Sequence, residues 1–338
     1  MYRALELVED GATAGSKTRA ELDDLLGPSD LRAKIKALQR FDTTGGAVQL
    51  NMATSIWAND LKAKYMNHTT NDHFAEAFEL PQTYTPVDEW IERETHGMIK
   101  DLMGDDTIED LTVALLVDAV YFKGSWMYEF DKDLNKDGLF YYRDGSHTNA
   151  TYMQSSRKMK ATKLSSLGDA SVVALDYKNA EFSALFILPA SDSEKSMQDA
   201  ISGLNSQSLT KLIEETNDIQ AELKLPRFRL DFGPASLKSV LQNMGMTTAF
   251  DNEILGKFNR MTFDKYLYIK DIFHGASMEV NEEGTEAAAS TVVVATTRSR
   301  PRIQTMKLVF NRPFIVVISH QSSGVPLFIG KVEQPEFI

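Results

Sequence analysis

The chain has 338 residues, 43% of them hydrophobic and 25% charged, the balance of a soluble globular protein long enough to bury a sizeable core. Its 36 basic and 48 acidic residues leave a formal charge of −12, which argues against the dense basic face that nucleic-acid binding needs. Cysteine is absent, so disulfides, thiolate nucleophiles and thiolate metal sites are excluded, and no apolar run approaches the roughly 20 residues of a membrane span.

Taken in chain order, Tyr2 to Glu9 reads as a short helix stopped by the glycines at 11 and 15. Thr18 has Glu21 three residues on, the spacing of a capping box, and opens a helix that runs to Gly27. Residues 29–41 put Leu31, Ile35 and Leu38 on one helical face. A strand follows over 47–58, then a helix over 85–103 with Pro86 near its start. Residues 112–126 form a nearly continuous apolar run, the pattern of a strand buried on both faces. Beyond 171 the pattern is mostly strand: 171–177, 182–189, an alternating stretch at 221–232, and 266–281. Helices are expected at 194–216 and 235–245. The last two strands are joined by Gln321–Gly324, a hairpin signal. Helices first and strands later indicate one α+β domain over 1–338.

Enzyme signatures are missing. There is no GxSxG, HExxH, GxGxxG or P-loop, so no catalytic residue is assigned and the chain is not read as an enzyme. The histidines, His68, His73, His96, His147, His274 and His320, are scattered. His68 and His73 lie five apart in a stretch that reads as irregular, and no metal is expected. Asp131, Asp133, Asn135 and Asp137 mimic the start of a calcium loop. Lys136 at its sixth position and Tyr142 at its twelfth break the pattern, so a solvated charged turn is the better reading.

Several separated stretches together resemble the serpin family. They are VDAVYFKGSW (117–126), LPRFRLDFGPASLKSVLQNMGMTTAF (225–250), HGASMEVNEEGTEAAAST (274–291), FNRPFIVVIS and VPLFIGKVEQP. The resemblance covers about residues 4 to 335 and is most specific at the hinge. It implies a single-domain fold of three β-sheets with surrounding helices and an exposed reactive-centre loop at about 282–302. It also implies a suicide inhibitor: a protease attacks the loop, forms an acyl-enzyme, and is dragged away as the cut loop inserts into the main sheet. The alternative is a non-inhibitory serpin acting as a carrier, chaperone or storage protein.

The residues of the loop suit insertion. Counting back from Arg298, the core-facing positions are Thr285, Ala287, Ala289 and Thr291, all small, with Glu286, Ala288 and Ser290 facing outward. With Glu282, Glu283 and Gly284 they form the hinge. No charge need be buried and no proline interrupts the ladder. The resemblance makes the hinge glycine the fifteenth residue before the cut, the residue that donates the carbonyl being counted as one. From Gly284 that count ends on Arg298, so the reactive bond is Arg298–Ser299. Arginine there implies a trypsin-like serine protease as covalent partner. The rival, Arg300, precedes Pro301.

The resemblance also assigns a structural switch region to Trp126, Arg227 and His274, with Glu282 paired to Arg227. Arg32, Lys36 and Arg40 share a helix face. A solvated face is the default for them, and a heparin-like polyanion the lesser possibility; no other cofactor is expected. Asn67 and Asn149 open glycosylation sequons. The chain departs from the family by starting inside its second helix, without the first helix, the first strand and the serines that neighbour His274. Asp118 stands where asparagine is usual, and if buried it needs a donor or a raised pKa. A monomer is expected, without nucleic-acid or membrane partners. With no signal peptide it is cytoplasmic as it stands, or extracellular if truncated.

Overall fold

The structure is a computed structural model that describes residues 1–27, 29–39, 47–95, 97, 107–108, 113–205, 212, 215–285 and 305–338. By contacts the chain forms two compact units. The first comprises Met1–Thr43, Leu50–Phe122 and Asp231–Ser277; the second comprises Thr44–Gln49, Lys123–Leu230 and Met278–Ile338. Among the described residues no helix is long and apolar enough to cross a membrane.

In the first unit, helices α1 (Tyr2–Gly11) and α2 (Lys17–Leu26) are amphipathic, and α3 spans Ser29–Gln39. The cap of α2 is Ser16, whose side chain accepts from the Arg19 amide, not Thr18. Thr18 is buried one step inside the helix, and Glu21 reaches away to Thr247 and Thr248. Strand β1 (Val48–Trp57) is followed by α4 (Ala63–His73), β2 (Glu76–Phe78) and α5 (Thr85–Glu94). The stretch holding His68 and His73 is therefore helical. Tyr65, Thr69 and His73 lie on its buried face.

Strand β3 (Val113–Ser125) is the apolar run of the sequence, and every residue from Val113 to Phe122 is buried. Its two faces feed different cores. Ala114 and Leu116 pack with Leu7, Val8 and Leu22, while Val113, Leu115 and Val117 pack with Val87, Trp90 and Ile91 of α5. Each of these valines and leucines contributes about 1.5–3 kcal/mol on burial, so β3 organises the unit. Strand β10 (Tyr268–Val280) lies parallel to β3, from Tyr268 opposite Val113 to Ser277 opposite Tyr121. The sheet order is β2-β1-β3-β10-β9, where β9 is Phe228–Ser236, with β11 (Gly284–Thr285) paired to β3.

The second unit holds β4 (Lys136–Tyr141), β5 (His147–Leu164), β6 (Ala170–Asp176), β7 (Phe182–Leu188), α6 (Glu194–Gly203) and β8 (Asn217–Pro226). It also holds β12 (Met306–Val309), β13 (Phe314–His320) and β14 (Pro326–Val332). Their order is β12-β8-β5-β6-β7-β13-β14, with β4 on β5. Strand β5 serves two sets of strands. Tyr152 to Ala161 pair with β8, and Lys160 to Leu164 pair with β6. With the sheet containing β3, these two sets make the three sheets of the expected fold.

Some boundaries differ from the sequence reading. The alternating stretch 221–232 is two strands, β8 and β9 (Phe228–Ser236), divided at Arg227. Because β9 runs to Ser236, helix α7 is only Lys238–Asn243. Helix α6 stops at Gly203, where Leu204 turns extended. The hairpin of β13 and β14 is as expected, with Phe314 opposite Val332.

Candidate functional site

The stretch after β10 reverses the chain. Asn281 makes the turn: its side-chain oxygen accepts from the amides of Glu283 (3.1 Å) and Gly284 (3.3 Å), and its own amide donates to the Gly284 carbonyl at 2.9 Å. Asparagine favours this side-chain-to-backbone turn. The chain leaves it as β11, antiparallel to β3, with Gly284 opposite Ser125 and Thr285 opposite Gly124. Thr285 is described by its backbone alone.

Trp126 anchors this turn from the end of β3. Its amide donates to the Glu283 carbonyl at 2.9 Å, and its indole N–H to the Asn281 carbonyl at 3.0 Å. The ring is buried and stacks on Tyr177 with centroids 4.6 Å apart. A buried indole N–H must find an acceptor, and here that acceptor is the turn itself.

Glu282 is 2% exposed and has three partners. Its carbonyl accepts from the Phe130 amide at 2.9 Å, and its carboxylate accepts from the Asn135 side-chain amide at 2.5 Å. Arg227 Nε stands 3.5 Å from Oε1, an ion pair and not a hydrogen bond. Glu283 pairs with Lys132 at 2.6 Å. Lys132 and Asn135 belong to the stretch that mimicked a calcium loop. In the fold its cation and amide hold the two glutamates, and Asp131 caps a single helical turn by accepting from the Asp133 amide. Their calcium-loop spacing hid this role, and only Lys132, which has no place in that pattern, gave a signal.

His274 lies on β10 in the first unit, with Nδ1 2.9 Å from Asp118 Oδ2 on β3. Asp118 is 2% exposed, and it also accepts from Thr54 Oγ1 at 2.9 Å and from the Met1 ammonium. Burial pushes its carboxyl up, but the ammonium and His274 outweigh that and hold it well below the usual carboxylate range. Of the two routes open to a buried Asp118, the fold takes the donors.

The reactive bond, Arg298 and Ser299, lies outside the described residues, as do Glu286, Ala287, Ala288, Ala289, Ser290 and Thr291 of the hinge. Arg40 and the side chain of Arg32 also fall outside, and Lys36 is half-buried. Asn149 is exposed on β5. Asn67 is exposed on α4, but its sequon partner Thr69 is fully buried.

The profile of one family, described as serpin (serine protease inhibitor), matches residues 1–335. Serpin-ZXA of Oryza sativa subsp. japonica is 30% identical over 99% of this chain and 88% of its own length. Antithrombin-III of Homo sapiens is 34% identical over 75% of this chain; the match spans 54% of that relative, about half its length. Among solved structures, human thyroxine-binding globulin overlays with a TM-score of 0.85 at 22% identity, covering 99% of this chain and 90% of that one. The thermophilic serpin tengpin in its native state gives 0.84 at 23% identity, covering 98% and 86%.

Proposed function

This chain belongs to the serpin family, and on that premise we propose that it is a suicide-substrate inhibitor of a trypsin-like serine protease, cut at Arg298–Ser299. The protease serine oxygen attacks the Arg298 carbonyl carbon. The bond to the Ser299 nitrogen breaks, and the serine proton leaves on that amine by way of the protease histidine. The released segment then extends β11 along β3, and the acyl-enzyme is carried off before water can complete hydrolysis.

The observation that carries this reading is the Asn281 turn. It already sets Gly284 and Thr285 antiparallel on the end of β3, so a new strand has its first rung in place. The small side chains after it support the same reading, because they can be buried without a desolvated charge. Two relatives bear inhibitor names: Antithrombin-III and Intracellular coagulation inhibitor 2 of Tachypleus tridentatus.

The test is incubation with trypsin followed by a denaturing gel. A boiling-resistant band at the summed mass, absent for Arg298→Ala, is expected. Cleavage at Arg298 with no such band would overturn inhibition and leave the carrier, chaperone or storage alternative.

A further inference from the structure

Helix α4 turns two histidines toward one acidic residue of α1. His68 Nε2 lies 2.9 Å and His73 Nε2 2.7 Å from the same atom, Asp10 Oδ2. The rings meet edge to face with centroids 5.0 Å apart. One candidate ligand atom from each residue falls within 4.8 Å of the others. All three residues lie in the first unit.

The opposite ring nitrogens are backed by carboxylates. His68 Nδ1 contacts Asp72 Oδ2, one turn along the helix. His73 Nδ1 faces Glu6 Oε2 at 3.8 Å; both atoms are buried, and neither has a hydrogen-bond partner. Carboxylates behind the far nitrogen are the outer shell that fixes the tautomer and orientation of metal-bound imidazoles. Two imidazoles and a carboxylate form a donor set for a borderline divalent ion.

We propose that Asp10, His68 and His73 bind a zinc ion, with Asp72 and Glu6 as outer-shell carboxylates. The fourth position opens to solvent beside His68, whose side chain is 39% exposed against 6% for His73. Ligand atoms around a tetrahedral zinc sit about 3.3 Å apart, so the Asp10 contacts need to open by only about half an ångström. The ion ties the end of α1 to α4 and stabilises the state in which those helices are packed. Protons compete for the same atoms, because the ligating histidines must be neutral.

The test uses the full chain, stripped with chelator and dialysed, then titrated with Co2+ as a visible reporter and with Zn2+. Expected are one Co2+ per chain with tetrahedral d–d bands, displacement by Zn2+, and a rise in melting temperature with Zn2+. His68→Ala and Asp10→Asn are expected to abolish the bands. Asp72→Asn should weaken binding about 10–100-fold, and His147→Ala should change nothing. His68 is half-exposed, so His68→Ala retains the wild-type circular dichroism and the loss is not one of folding. No uptake at micromolar metal overturns the site, as does uptake unchanged in His68→Ala.

Discussion

Gly284 stands against the Gly124 carbonyl so closely that a Cβ added there would lie 1.9 Å from that oxygen and 2.6 Å from Ser125 Cα. Its φ of 153° also lies in the region that side chains avoid. Both facts predict that Gly284→Ala detaches β11 from β3, costing about 1–3 kcal/mol in strain. Gly145→Ala separates the causes: it also has positive φ, at 85°, but nothing lies within 4 Å of its Cβ. Thermal melts should show the larger drop for Gly284→Ala. Equal drops would mean that the Gly124 carbonyl plays no part.

Around Glu282 two partners can be ranked. The Asn135 amide bonds directly to a buried carboxylate at 2.5 Å, an interaction worth about 1.5–3 kcal/mol. Arg227 is one-third exposed and 3.5 Å away, so solvent screening leaves at most about 1 kcal/mol. Asn135→Ala should therefore destabilise more than Arg227→Ala in denaturant melts. The reverse order would return the clamp to the glutamate–arginine pair that the sequence suggests.

The carboxyl of Asp118 is depressed in the folded protein, so its stabilisation is full above the unfolded carboxylate value near pH 4 and is lost progressively as the pH falls. Asp118→Asn cannot lose what it does not have. Wild type and variant should converge in stability between neutral pH and pH 3, the wild type falling faster. Parallel curves would show that Asp118 contributes no net charge interaction.

Long-range pairing decides what the sequence made legible. Strand β3 was readable because ten successive buried residues leave no polar alternation. Arg227 was not readable as a break, since the alternation of 221–232 continues across it while the chain changes sheets. Strand β5 was missed because its many polar residues carry little apolar signal, although its 18 residues pair in turn with β4, β8 and β6. Asp10 stands 58 residues from His68 and 63 from His73, so no spacing rule could join them. Reading α4 as irregular hid the shared direction of the two rings. At Asp118 the need for a partner was legible, but not Thr54 or the Met1 ammonium.

The β11 register makes the insertion proposal specific. Gly284 stands opposite Ser125 and Thr285 opposite Gly124; a strand inserted in the same register would set Ala287 opposite Phe122 and Ala289 opposite Val120. Directly paired residues share a face of a sheet. The even positions of β3, Ala114 and Leu116 among them, face the apolar core with α1 and α2. Insertion in that register would turn Ala287 and Ala289 toward that core and set Glu286 opposite Lys123, the division that strand alternation alone assigns. On insertion a charge at 289 would be buried opposite Val120, which is 7% exposed, at a cost of several kcal/mol. Ala289→Glu should leave Arg298 cleavable by trypsin while insertion slows, so that water completes hydrolysis and the chain becomes a substrate. Ala289→Ser, which keeps the side chain small and neutral, should still form the covalent complex. The readouts are the ratio of complex to cleaved chain on a denaturing gel and the melting temperature after cleavage. A complex yield for Ala289→Glu equal to that of Ala289→Ser would mean that the loop does not enter beside β3 in this register.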